Sequence, residues 1–266
     1  MTALKFLGTG GGRFAAILQT RATGGIYIFI EDPSGRTRHF HIDPGPGALV
    51  RLLAAGLSPL ETDAILVSHC HPDHYADAEI LVEGMTDGGN KKQGALVASR
   101  SVLDGVGDFG PSVSKYHKAK PGIVRSLSPG DGLDIFGIKV EASFSAHSDP
   151  ASVGFRIHTP RGIIGYVSDT ALDERVIKAH QGSRLLILPV TRPLNMPIPH
   201  HLTVEDAARI AGAVKPGLAL LTHFGMRVIK DGPPKAAEWI QKKTGVRTVA
   251  AEDGMAIDIG DDLGIL

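Results

Sequence analysis

A chain of 266 residues with 28 basic and 28 acidic side chains has no net field to hold a polyanion, and 42% hydrophobic with 21% charged residues excludes a disordered chain. The one cysteine, Cys70, cannot close an internal disulfide, and no apolar run reaches the roughly 20 residues of a membrane span. The opening MTALKFLGTGGG lacks the order of a secretory signal, so the expectation is a cytoplasmic protein folded as a single domain over residues 1–266.

Short apolar runs between glycines and prolines predict strands at LKFLG from Leu4, GIYIFI from Gly25 and RHFHID from Arg38. The glycines of LGTGGGR do not form a dinucleotide fingerprint, because the third required glycine falls on Arg13; a tight turn lets backbone pass close to a site instead. Helical spacing runs from Gly47 to Ala55 and stops at Gly56, and DAILVSH predicts a buried strand ending at His69. AEILVEGM from Ala78 predicts a helix. Residues 87–130 carry no clear period; their lysines and glycines fit either an RNA-gripping arm or a substrate-covering loop, and the run KYHKAK reads first as a solvated face. Strands follow at GLDIFG, IKVEASF, VGFRIHT and GIIGYVSD. The pattern then alternates: a helix from Asp173 to His180, strand RLLILPV, helix VEDAARIAGAV, strand LALLTH, helix PPKAAEWIQKK and one final strand. Strands that first pair among themselves and then alternate with helices predict two sheets packed face to face with helices outside.

The chemistry concentrates in SHCHPDHYAD, which places His69, His71, Asp73 and His74 within six positions directly after a buried strand. Imidazole with carboxylate suits zinc, manganese or iron. A spacing of two puts His69 and His71 on one side of an extended segment, aimed at one ion, and turns Cys70 away. Asp73 and His74, past Pro72, then face a second ion. Single donors recur near the ends of later apolar runs at His147, Asp169 and His223.

Asp43, the HxHxDH cluster, His147, Asp169 and His223, in that order, resemble the metallo-β-lactamase superfamily over nearly the whole chain. The resemblance implies an α/β fold, a four-layer αβ/βα sandwich with two divalent metal ions, zinc or manganese with iron also compatible, at one edge between the sheets. It implies that His69, His71 and His147 hold one ion, that Asp73, His74 and His223 hold the other, that Asp169 bridges them, and that Asp43 orients a ligand from behind. An aspartate at 169 argues against the β-lactamases that use cysteine there and favours two-metal hydrolysis by a bridging hydroxide. FLGTGGGRF and the segment from His201 to Arg209 are similar to ribonuclease Z and the related cyclic-nucleotide-type phosphodiesterases. That likeness implies catalytic roles for Asp73 and for His201, the latter as general acid, with His200 the competing neighbour. The expected function is a dinuclear metal-dependent hydrolase of a small phosphodiester, in a homo-oligomer without membrane contact, with nucleic acid less favoured at zero net charge. The alternatives are a transfer RNA 3′-processing endonuclease, a thioester or lactone hydrolase, and a non-catalytic metal-binding protein.

Overall fold

The structure, a computed structural model, describes residues 2–266. The first half of the chain runs β1 (Ala3–Phe6), α1 (Arg13–Leu18), β2 (Ile26–Glu31), β3 (Thr37–Ile42), α2 (Ala48–Ala54), β4 (Ala64–Val67), α3 (Pro72–Tyr75), α4 (Ala78–Met85), β5 (Ala95–Ser99), α5 (Arg100–Leu103), α6 (Lys115–Lys118) and β6 (Ile123–Leu127). The second half runs β7 (Gly132–Ile135), β8 (Ile138–Phe144), β9 (Val153–Thr159), β10 (Gly162–Tyr166), α7 (Glu174–Ala179), β11 (Ser183–Pro189), α8 (Val204–Val214), β12 (Leu218–Thr222), α9 (Met226–Asp231), α10 (Pro233–Thr244), β13 (Thr248–Ala250) and β14 (Ala256–Asp258). The strands form two seven-stranded sheets, ordered β14-β1-β2-β3-β4-β5-β6 and β13-β12-β11-β10-β9-β8-β7, so that β14 returns from the second half to complete the first sheet. In both sheets antiparallel pairs give way to parallel ones, from β3–β4 onward and from β10–β11 onward.

The strands' composition explains the layering. All four residues of β4 are buried: Ala64 and Leu66 face the core shared by the two sheets, while Ile65 and Val67 meet α2 and α4 on the outside. A continuous apolar run is what a parallel strand covered on both faces requires. In the second sheet Leu185 and Ile187 enter the shared core, and Leu186 and Leu188 pack under α7, α8 and α10. The result is the expected four-layer αβ/βα sandwich. Among the described residues no helix is long and apolar enough to cross a membrane.

Several elements depart from the expectation. The glycine turn runs into α1, whose Phe14, Ile17 and Leu18 are exposed and so give no amphipathic period. β4 ends at Val67, two residues before His69, and Pro72 opens the short helix α3, so the cluster is not one extended segment. Residues 87–130 are neither a detached arm nor an unstructured lid over their whole length: β5 and β6 extend the first sheet, and α6 lies on α4, with His117 bonded to Glu83 at 3.1 Å and Lys120 paired with it at 3.4 Å. In the KYHKAK run His117 and Lys120 thus face Glu83, while Lys115 and Tyr116 lie on the exposed face that the run predicts. The single final strand is two, because the chain turns at Gly254 (φ 88°) and β14 closes onto β1 of the other sheet.

Candidate metal centre

Strand ends deliver the polar residues to one edge. Asp43 follows β3, His69 and His71 follow β4, Asp73 and His74 sit on α3, and His147, Asp169 and His223 follow β8, β10 and β12. Asp43 (φ 49°) and His223 (φ 53°) hold left-handed backbone, a conformation that non-glycine residues keep only where the surroundings impose it.

Two groups of donors face each other. In the first, His71 Nδ1 lies 3.0 Å from His69 Nε2 and 3.1 Å from His147 Nε2. In the second, His74 Nε2 lies 3.2 Å from His223 Nε2, and Asp73 Oδ2 lies 3.4 Å from the same His223 nitrogen. Asp169 stands between them, with Oδ2 3.8 Å from His74 Nε2, Oδ1 3.2 Å from His223 Nδ1, and a ligand-range grouping with His69 as well as with His147.

The outer nitrogens show which way the rings are set. His147 Nδ1 donates to the carbonyl of His200 at 3.0 Å, and His74 Nδ1 meets Asp43 Oδ2 at 2.8 Å. His69 Nδ1 contacts Ser68 Oγ at 3.0 Å and His223 Nδ1 contacts Thr191 Oγ1 at 3.1 Å. With the outer nitrogens engaged, the inner ones are turned towards one another, an arrangement that a cation placed between them would satisfy. Nitrogens bound tetrahedrally at about 2.0–2.1 Å sit roughly 3.3 Å apart, close to the separations observed. Three carboxylates, Asp43, Asp73 and Asp169, add negative charge to the buried site. Burial alone opposes a charge on His74, but Asp73, Asp43 and Asp169 outweigh it and push its pKa up to about 10. Burial holds His147 down at about 4 and His69 well below the usual histidine range. The donor set fits divalent cations.

His201 and His200 play different parts. His201 Nδ1 donates to the Pro199 carbonyl at 3.0 Å, which leaves Nε2 facing Asp169 Oδ2 at 3.6 Å. His200 offers its backbone carbonyl to His147, and its own ring centre is 6.2 Å from that of His147. The loop is closed at its base by Arg192 N–H bonding to the Leu202 carbonyl at 3.1 Å and by the Thr203–Asp206 capping box that starts α8.

Supporting residues escape sequence reasoning. Asp43 Oδ2 also accepts from Ser68 Oγ at 2.6 Å and from the Tyr166 hydroxyl at 2.6 Å. Asp149, fully buried, accepts from Cys70 N–H at 2.9 Å and from Ser101 Oγ at 2.5 Å, so the loop bearing His147 also clamps the loop bearing His69 and His71. The spacing of two between His147 and Asp149 is the one signal that could have drawn notice. Cys70 turns away, its Sγ 2.7 Å from Ser112 Oγ. At the glycine turn, Gly12 N–H donates to Asp73 Oδ2 at 3.0 Å, and a Cβ on Gly11 would lie 2.2 Å from the His223 ring. Of the remaining histidines, His41 and His180 are fully buried core residues.

The profile of the beta-lactamase superfamily domain matches residues 38–224. An uncharacterized protein of Methanocaldococcus jannaschii is 41% identical over 96% of this chain and 94% of its own. A ribonuclease Z of Pyrobaculum neutrophilum is 27% identical, covering 84% of this chain and 87% of its own. Among solved structures, the metallo-beta-lactamase fold protein YhfI from Bacillus subtilis superposes with a TM-score of 0.77 at 20% identity, over 96% of this chain and 98% of the other. A diphosphatase of the PhnP family gives 0.68 at 19% identity over 100% of both chains.

Proposed function

The chain belongs to the β-lactamase superfamily and is a hydrolase of its metal-dependent kind, and on that premise we propose that it cleaves a small phosphodiester at a pair of divalent ions. The observation that carries the reading is Asp169, whose carboxylate lies within ligand range of both donor groups. In this reading His69, His71 and His147 hold one ion, Asp73, His74 and His223 the other, and Asp169 spans them. Zinc or manganese suits this mixture of imidazole and carboxylate, and iron is also compatible. When bound, such a pair supplies Lewis acidity and lowers the pKa of water enough to provide a nucleophile at neutral pH.

The chain's own groups do the rest. Asp43 fixes the His74 ring, and the His200 carbonyl fixes that of His147. With Nδ1 donating to the Pro199 carbonyl, Nε2 of His201 is the nitrogen turned to the side of Asp169, the position from which a proton held there would pass to a departing alkoxide. Two relatives support chemistry at phosphorus, one named a ribonuclease and one a diphosphatase. A small substrate is favoured over RNA because charge balances to zero and, of the basic groups in residues 115–120, His117 and Lys120 pair with Glu83 of α4.

Metal content per chain, measured together with bis(p-nitrophenyl) phosphate turnover, tests the reading. Two ions, with turnover lost in His69→Ala, support it; no turnover after zinc or manganese is added overturns it in favour of another ester class or a non-catalytic role.

A further inference from the structure

Helix α1 leaves most of its surface bare. Ala15 is its buried residue, whereas Phe14, Ile17 and Leu18 are 71, 74 and 61% exposed. Side chains of that size, so uncovered, amount to roughly 400 Å² of apolar surface, in the range of the largest patches on monomeric proteins, which are often functional. A second apolar feature is a groove of about 340 Å³ lined by Leu194, Met196, Val204, Val228, Ala236 and Trp239. Its outer wall is fixed in place: Arg192 Nε donates to the Met196 carbonyl at 2.9 Å, and Asn195 N–H to Glu205 Oε1 at 2.7 Å. Projection and groove both border α9, since Thr20, just past α1, meets Met226 Sδ at 3.2 Å and Val228 lines the groove. Arg13 at the start of α1 and Asp231 at the groove's rim are exposed and, among the described residues, have no side-chain partner.

We propose that the chain forms a twofold dimer in which α1 of each copy fills the groove of the other, Phe14, Ile17 and Leu18 covering the partner's Trp239, with Arg13 facing the partner's Asp231. A second copy is the occupant because one chain supplies both the apolar projection and the apolar recess, with opposite charges beside them, on the two sides of one short helix. A twofold axis uses that pairing twice, so the contact closes on itself. Covering projection and groove at both places buries on the order of 1,200–1,600 Å², the size of a stable interface. The wall from Pro193 to Met196 begins the loop that carries His200 and His201, so the partner's helix braces that loop. The inference is independent of which bond the site cleaves.

Sedimentation velocity of the full chain over a concentration series tests this, with the emission of Trp239, the one tryptophan, recorded on the same samples. The wild type should sediment as a dimer. Ile17→Glu, at a position that the fold leaves in solvent, should weaken association about 10-fold or more, and its monomer should show Trp239 emission to the red of the dimer's. Ala236→Glu, in the groove wall, should weaken association in the same way. An equal mixture of the two variants should associate more tightly than either alone, because a mixed dimer keeps one of its two contacts intact. A wild type that stays monomeric, an Ile17→Glu variant that dimerises unchanged, a dimer whose Trp239 emission matches the monomer's, or a mixture no tighter than its components each overturn the proposal. The Ile17→Glu and emission results decide it even where Ala236→Glu fails to fold.

Discussion

Asp43 Oδ2 sits 2.8 Å from His74 Nδ1 and takes two further hydrogen bonds, from Ser68 and Tyr166, on the same oxygen. One carboxylate therefore links the ends of β3, β4 and β10 to the ring that faces the second donor group. Asp43→Asn keeps a residue that tolerates left-handed backbone but removes the charge behind His74. Metal affinity should fall by about 10–100-fold, read by competition with a chelator. Unaltered affinity would show that His74 does not depend on Asp43.

Gly11→Ala places a methyl where the His223 ring now lies. Relief by moving the ring should lower stoichiometry from two ions towards one, and the overpacking should cost about 1–3 kcal/mol of stability. Elemental analysis and denaturant unfolding measure the two effects; a variant that keeps both ions would mean that the turn yields rather than the ring.

His201→Ala should reduce turnover about 10²- to 10⁴-fold with metal content intact, the range for loss of a positioned proton donor. His200→Ala keeps the carbonyl that His147 uses and should change turnover little. Steady-state kinetics with metal analysis separate the two residues, and the reverse ranking would assign the donor to His200.

Asp149→Ala strands the Cys70 N–H and leaves the Ser101 hydroxyl with Ser99 as its remaining partner. Loss of hydrogen bonds to a buried carboxylate should cost about 1.5–3 kcal/mol of stability, and the freed 69–71 loop should bind metal more weakly. Urea unfolding of metal-free protein isolates the first effect, and chelator competition the second. No change in either would leave Asp149 without a role in holding the loop.

Acid should weaken the fold through two histidines outside the site. Burial lowers the His180 pKa from 6.5 to about 3 and that of His41 from 6.5 to about 4. Above 6.5 both residues are neutral folded and unfolded, so neither affects stability. Below it the unfolded chain takes up protons that the fold refuses. Stability then falls as pH drops, by up to about 1.4 kcal/mol per pH unit for each residue, until the folded pKa is reached. His180→Gln, which retains a partner for Ser143, should make the fall shallower by one proton's share; parallel urea-midpoint curves for wild type and variant would contradict this.

Legibility followed locality. The strands that carry the donors and helices α2, α4, α8 and α10 were readable because each displays its period within its own residues. α1 was hidden because its large apolar side chains point to solvent, and β5 and β6 because short strands flanked by Lys91, Lys92 and several glycines show too few alternations. β14 was merged with β13 since nothing local says that a strand changes sheets.

By itself the sequence displayed the HxHxDH cluster and an architecture of two sheets with helices outside, because residue spacing and hydrophobic periodicity are local and survive in one dimension; that His147, Asp169 and His223 belong with the cluster was implied by the family resemblance. Only the tertiary structure decided that Asp149 holds the 69–71 loop, that Gly11 makes room for His223, that Tyr166 reaches Asp43, and that His201 presents a ring where His200 presents a carbonyl. Those choices rest on contacts between segments far apart in the chain and on left-handed backbone at Asp43, His200 and His223, which packing around the edge imposes and no residue type announces.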